Sequence, residues 1–198
     1  YFHPFVGGDA TKHSCDAINV TTDFDIVWSG TAVTHNSNGV TGAAGSIGST
    51  GFNSSGFFTT TSANFGIYVD GSTFGGLDVP IGDSSGVHYI AASVGDINGT
   101  IFNSIPIIDN TYSGGGIIAV NIEPEFDEFY LYYDGTQIAA ETLDSTTGGE
   151  LIYFGSFSPS IGSTANLRAG WAAESFTPAQ MASFYTDLQA FQTARGRN

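Results

Sequence analysis

The sequence predicts an all-β fold, an antiparallel sandwich closed by one C-terminal helix, and three observations carry that prediction. Apolar residues recur with period two along most of the chain, the spacing of half-buried strands. Polarity comes from 27 Gly and abundant Ser and Thr rather than from charge, as many turns between short strands require. Near the C-terminus the period changes to that of a helix, with start and stop signals at its ends.

Taken in order, Phe24-Asp25-Ile26-Val27-Trp28 places Phe24, Ile26 and Trp28 on one face of a strand. Residues 34–56 differ: Gly39, Gly42, Gly45, Gly48 and Gly51 recur at every third position among Ser, Thr, Ala and Asn. The run has no Pro, so it is not collagen-like. No Lys and no helix follow it, so it is not a phosphate loop. A long surface loop of tight turns is expected. Further strands are expected at Phe65–Val69, His88–Val94, Ile117–Ile122, Phe129–Tyr133, Gln137–Leu143 and Leu151–Phe154. Asp134-Gly135 between two strand-like runs is a two-residue hairpin signal, because both turn positions need positive φ. In its first arm Phe129, Leu131 and Tyr133 face one way and Tyr130 and Tyr132 the other. Aromatics on both faces predict a strand inside a sheet. The helix is expected over about 178–195. Thr177 is its N-cap, Pro178 its first residue and Gln180 the partner in a capping box. Met181, Phe184, Tyr185, Leu188 and Phe191 form one core-facing stripe, Arg195 suits the C-terminal dipole and Gly196 is the left-handed stop.

At 198 residues and 20.7 kDa the chain makes one domain, 1–198. Folding at this size buries roughly 70% of the unfolded surface, enough for a core without staples. Four basic residues against 19 acidic give a net charge of −15. That balance excludes nucleic acid and anionic membrane surfaces, which both need clustered Lys and Arg. No stretch approaches 18 apolar residues, so no membrane insertion is expected. Cys15 is alone and forms no intrachain disulfide. Without an initiator Met or a basic-plus-apolar leader, Tyr1 reads as a processing site, a cloning start or the first ordered residue.

Two segments hint at chemistry. Gly82-Asp83-Ser84-Ser85-Gly86 matches the nucleophile-elbow pattern, with His88 close by. That mechanism needs Ser between a strand and a helix. Here a strand follows, so a polar turn is expected. The run Glu123-Pro124-Glu125-Phe126-Asp127-Glu128 would, on a strand, align Glu123, Glu125 and Asp127 on one face, as sandwich-fold glycosidases align their carboxylates. Pro124 interrupts a ladder and a connection is needed here, so a solvated turn is expected instead. As a metal site, Glu123, Glu125, Asp127 and Glu128 would suit calcium, although no EF-hand spacing is present. No other cofactor is indicated. His3, His13, His35 and His88 share no zinc-ligand spacing with Cys15. Asn19, Asn53 and Asn98 head glycosylation sequons in form.

Several segments together resemble one family. Tyr130-Leu-Tyr-Tyr-Asp-Gly-Thr-Gln-Ile138 is similar to the Gly-turn hairpin of concanavalin A-like and laminin G-like sandwiches. It is followed by Ile152-Tyr-Phe-Gly155, by Ala169-Gly-Trp-Ala-Ala173 and by Ser175-Phe-Thr-Pro-Ala-Gln-Met-Ala-Ser-Phe-Tyr185, as in that family. The ending 185–197 resembles the C-terminal helix of such modules in tailed-phage virion proteins. So do Phe5-Val-Gly-Gly-Asp-Ala-Thr-Lys-His13 and Thr34-His-Asn-Ser-Asn-Gly39. The acidic 123–128 connection and the sparsity of basic residues depart from it. The resemblance implies a jelly-roll sandwich with no fixed catalytic residues. It implies a non-enzymatic surface or fibre component of a virion, assembled with other virion proteins as a homo-oligomer and adhering to host-surface carbohydrate. The contact groups expected are Asn36, Asn38 and Asn53 in the Gly-rich region and Tyr112 in Asn110-Thr-Tyr-Ser-Gly-Gly-Gly. Sugar CH faces would stack on the aromatic ring, and loop amides would hydrogen-bond hydroxyls. The net charge disfavours an anionic polysaccharide unless a cation bridges it. Two alternatives stand beside this: a capsid or tail decoration protein that binds only protein neighbours, and a glycoside hydrolase.

Overall fold

The structure is a computed structural model that describes residues 1–18, 25–30, 32–43, 45–70, 78–93, 95–101, 107–109, 112, 114–123, 127–142, 150–153 and 163–197. In chain order its elements are β1 (Phe2–His3), α1 (Ala10–Ser14), β2 (Val27–Ser29), β3 (Thr34–Asn36), β4 (Gly39–Thr41), β5 (Ile47–Asn53), α2 (Ser54–Phe57), β6 (Asn64–Val69), β7 (Asp78–Asp83) and β8 (Tyr89–Ser93). There follow β9 (Asp96–Thr100), β10 (Ile107–Asp109), β11 (Gly116–Ile122), β12 (Glu128–Tyr133), β13 (Thr136–Thr142), β14 (Glu150–Tyr153), β15 (Asn166–Ala173) and α3 (Pro178–Ala194). Phe24, Val94, Leu143 and Phe154, the ends of four expected strands, lie outside the described residues.

Among the described residues the strands form two sheets. One runs β13-β12-β11-β6-β15-β4-β3, with β1 joined to β15, and the other runs β10-β9-β8-β7-β14-β5-β2. All named pairings are antiparallel. The inner faces meet in a core that includes Phe5, Phe65, Ile67, Ile81, Ile90 and Leu131. Helix α3 lies on the outer face of the first sheet, over Tyr68, Ala119, Tyr130, Tyr132 and Trp171. The fold is an antiparallel jelly-roll sandwich with a C-terminal helix, to which α1 and α2 add only short turns.

This third layer explains why the middle strands lack a polar face. β6 is buried throughout and β11 nearly so, because one side meets the second sheet and the other meets α3. The two faces of β12 divide as its alternation requires, with Phe129 and Leu131 in the inter-sheet core, Tyr133 packed against it, and Tyr130 and Tyr132 under the helix. Asp134 at φ +48° and Gly135 at φ +77° make the two-residue turn to β13. α3 begins with the expected capping box: Gln180 N–H donates to Thr177 Oγ1 at 3.3 Å, and Thr177 N–H donates to Gln180 Oε1 at 2.8 Å. It stops at Gly196, φ +69°. Met181 and Leu188 are buried on its inner side, and Phe191 is half-buried.

The Gly-rich segment is a correction. The described residues of 34–56 are not one long surface loop but include β3, β4, β5 and the start of α2. On β5, period two turns Gly48, Thr50 and Phe52 inward. A Cβ at Gly48 would collide with the Trp28 indole, so a neighbouring strand supplies the bulk that the glycine lacks.

A buried polar clamp seats the helix. Asn64 and Asn121 face each other across β6 and β11, and both are fully buried. Trp171 Nε1 donates to Asn64 Oδ1 at 2.6 Å, and Asn64 Nδ2 donates to Asn121 Oδ1 at 3.0 Å. Asn121 then treats Phe176 as a strand would: its Oδ1 accepts from Phe176 N–H and its Nδ2 donates to Phe176 O, both at 2.8 Å. Gly66, opposite Trp171, lets the indole lie flat, since a Cβ there would collide with it. Replacing Asn121 with Ala leaves the Phe176 backbone groups and the Asn64 amide short of partners. Urea melts are expected to show a loss of about 3 kcal/mol, the scale of buried groups left unsatisfied.

Candidate functional site

At one end of the first sheet the outer layer opens into a polar cleft of about 240 Å³. Tyr68, near the end of β6, and Asp70, just past it, are two residues apart and so share a face. β15 carries a bulge between Leu167 and Ala169. Leu167 stays in the inter-sheet core and Ala169 lies under the helix, so the inserted residue, Arg168, is re-aimed towards the cleft. Its guanidinium lies 5.8 Å from the Tyr68 ring centroid, and its Nη2 is 2.8 Å from Asp70 Oδ2. The Arg168 side chain is 6% exposed, and its Nε–H has no acceptor among the described residues.

The hairpin and the helix complete the walls. Asp134 Oδ1 accepts from Ile117 N–H at 2.9 Å. Burial pushes the Asp134 carboxyl up from the usual carboxylate range, against the opposing pull of that N–H. Tyr133 OH donates to Gly115 O at 2.7 Å. From α3, Gln189 Oε1 accepts from Tyr68 OH at 3.2 Å. Tyr68 is buried with Arg168 over its ring and Tyr133 is half-buried, so the cleft offers mainly donors and acceptors whose positions the surrounding fold fixes.

The residues singled out in the sequence lie elsewhere. Asn36 and Asn38 sit at the exposed β3–β4 turn, where Asn36 Oδ1 accepts from Asn38 N–H at 2.8 Å. Asn53 caps α2 at the end of β5, in the other sheet, and accepts from Ser55 N–H at 3.0 Å. Tyr112 requires a correction. Its ring is 6% exposed within the inter-sheet core, edge-on to Tyr133 at 5.5 Å, so it presents no face to a sugar. Glu123 accepts from Tyr132 OH and Glu128 from Tyr130 OH, each at 3.0 Å, while Asp127 is exposed and Glu125 lies outside the described residues. Among the described residues no three His, Cys, Asp or Glu side chains converge as metal ligands. The sequence reading missed Tyr68, Asp70, Arg168 and Gln189 as a group. One signal was available: Arg168 is a lone charge inside the apolar run 167–172.

Fold and cleft together define a jelly-roll β-sandwich with a polar cleft at one sheet end. No protein-family model and no curated protein matches the sequence. Solved structures do match the fold. The IT-sialidase CBM40 of Ruminococcus gnavus, bound to α2,3-sialyllactose, is 9% identical with a TM-score of 0.52, over 63% of this chain and 82% of that one. The sialidase of Trypanosoma rangeli is 7% identical with a TM-score of 0.64, over 95% of this chain but only 32% of its own. The binding domain of botulinum neurotoxin DC, in complex with rat synaptotagmin II, is 10% identical with a TM-score of 0.59, over 85% of this chain and 48% of that one. At these identities the likeness is one of fold.

The nucleophile-like motif is a hairpin turn. Asp83 Oδ1 accepts from Ser85 N–H at 2.9 Å and Val87 N–H at 3.0 Å, and Oδ2 accepts from His88 N–H at 3.0 Å, closing β7 onto β8. Ser84 is exposed while His88 is fully buried, edge-on to Phe58 and Phe65, so the two do not form a nucleophile–base pair. Two other histidines form a neutral chain. Gly8 N–H donates to His13 Nε2 at 3.2 Å, which leaves the His13 proton on Nδ1, 3.0 Å from His35 Nδ1. His35 therefore accepts at Nδ1, and neither ring can take a second proton without opposing two donors. Burial, then the neighbouring His35, holds His13 down at about 4, with Arg197 and Lys12 adding and Asp9 opposing. Burial lowers His35 and His88 as well. The unfolded chain takes up protons from about pH 6.5 downwards that the folded chain refuses until about pH 4. Stability is therefore complete above about pH 6.5 and falls as the pH drops through that window, by on the order of 3 kcal/mol for His13. Urea melts between pH 7 and 4 are expected to show this slope, and the double change His13→Gln, His88→Gln to flatten it.

Proposed function

We propose that this chain is a non-catalytic glycan-binding module, carried on the surface or a fibre of a virion, that recognises host-surface carbohydrate in the Tyr68–Arg168–Asp134 cleft. The observation that carries the reading is a polar cleft, edged by the half-buried Tyr133, whose buried guanidinium keeps one N–H without an acceptor among the described residues. Sugars bind by placing CH faces against rings and hydroxyls against polar groups already in position. A ligand oxygen at Arg168 Nε would satisfy a donor that is otherwise costly to bury. The sialyllactose-bound CBM40 supports carbohydrate as a ligand class that this fold accommodates. The resemblance of residues 130–138 and 175–197 to phage virion modules supports the virion setting. There, copies held together with other virion proteins would turn weak single sites into useful avidity. Cleavage is not part of the reading: Asp70 is held by Arg168, and Asp134 by the Ile117 N–H. Glycan arrays probed with the multimerised chain are expected to show binding that drops about tenfold or more in Arg168→Ala, or ~1.4 kcal/mol, with no hydrolysis product in the same wells. Undiminished binding by that variant, or product formation, would contradict the proposal.

A second reading, attachment to protein neighbours, is favoured by a different surface. Two apolar cavities, of about 310 and 220 Å³, share Tyr1, Ala172 and Ala173, and Ile18 and Phe57 beside them are 71% and 57% exposed. Contiguous apolar surface of this kind marks contact sites. If it pairs copies of the chain, light scattering will show an oligomer that Ile18→Ser with Phe57→Ser dissociates. A concentration-independent monomer would exclude a second copy of the chain as the occupant of this surface.

A further inference from the structure

We propose that the cleft takes a single sugar ring bearing no negative charge and rejects sialylated glycans; this rests on the glycan-binding reading above. Two carboxylates, Asp70 and Asp134, line the cleft against one guanidinium. That guanidinium is already engaged, with Arg168 Nη2 2.8 Å from Asp70 Oδ2. An incoming sugar carboxylate must either displace Asp70 and sit beside its released charge, or settle between two like charges. Both arrangements are repulsive.

The other basic residues do not line the cleft. Lys12 pairs with Asp9 at 2.8 Å and Arg195 lies over the Phe191 ring, while Arg197, near enough for its charge to oppose that of Arg168, is buried with its guanidinium donating to the Phe5 and Pro4 carbonyls. The net charge of −15 opposes an anion at longer range. A hydroxyl fits where a carboxylate does not. Its oxygen accepts from Arg168 Nε–H and its own proton is free to go to a carboxylate. A cleft of about 240 Å³ is smaller than the roughly 300–1,000 Å³ of sites that enclose drug-sized ligands. One ring fills it.

Calorimetric titration tests this. The full chain is titrated with the methyl glycosides of glucose, galactose, mannose and N-acetylglucosamine, and with α2,3-sialyllactose. At least one uncharged glycoside is expected to bind about tenfold or more tightly than sialyllactose. The double variant Asp70→Asn, Asp134→Asn keeps the side-chain shapes, and Asn tolerates the positive φ at 134. With Arg168 released, the preference is expected to shrink about tenfold or more. Sialyllactose binding to the wild type as tightly as every neutral glycoside would overturn the charge selection and leave glycan binding standing. An unchanged preference in the folded double variant would equally overturn it. Should none of the five ligands bind, the glycan reading falls with it.

Discussion

The structure depends on a polar contact buried beneath a helix. Asn121 pairs with the backbone of Phe176 as if it were one more residue of a ladder, and Asn64 and the Trp171 indole hold its amide in place. Groups so placed are costly unless every partner is present. The exchange fixes where the chain leaves β15 and where α3 begins, one residue before the Thr177 cap. An apolar stripe alone would not do this, since Met181, Phe184 and Leu188 could slide along a greasy sheet face. The clamp sets the register, and the stripe supplies the burial.

The same layer builds the cleft. α3 runs from the clamp along the outer face of the first sheet, and by Gln189 it has reached the opposite end of the buried patch, where Tyr68 OH meets it. The bulge in β15 delivers Arg168 to that end, and the Asp134-Gly135 turn delivers a carboxylate, with Tyr185 packed against Gly135. Four separate segments therefore converge through backbone geometry rather than through a local motif. Arg168 joins them electrostatically, stacked near Tyr68 and paired with Asp70.

Much of the fold was legible because its determinants are local. A turn that needs two positive φ values names Asp-Gly by itself, and a helix with a cap, a stripe and a stop needs no tertiary knowledge. The Gly-rich segment was not legible for the opposite reason. Gly48 belongs to a strand only because Trp28, from another strand, fills the space above it. Tyr112 misled in the same way: its sequence neighbours are those of a loop, but its ring is drawn into the core beside Tyr133. The cleft was hidden because residues 68, 70, 134, 168 and 189 acquire a common purpose only after folding. Asp134 was visible as a turn residue, but its second role, facing Arg168 across a cavity, has no signature in the adjacent sequence.

The proposed function needs ligand binding in this helix-built cleft rather than at the Asn36–Asn38 turn or the apolar surface around Tyr1. Amide and side-chain NMR of the labelled chain, titrated with a binding glycoside, tests it most directly. Saturable shifts concentrated at Tyr68, Asp70, Gly115, Asp134, Arg168 Nε–H and Gln189 are expected. Shifts centred on Asn36 and Asn38, or on Tyr1 and Phe57, with the Arg168 Nε–H resonance unmoved, would contradict it.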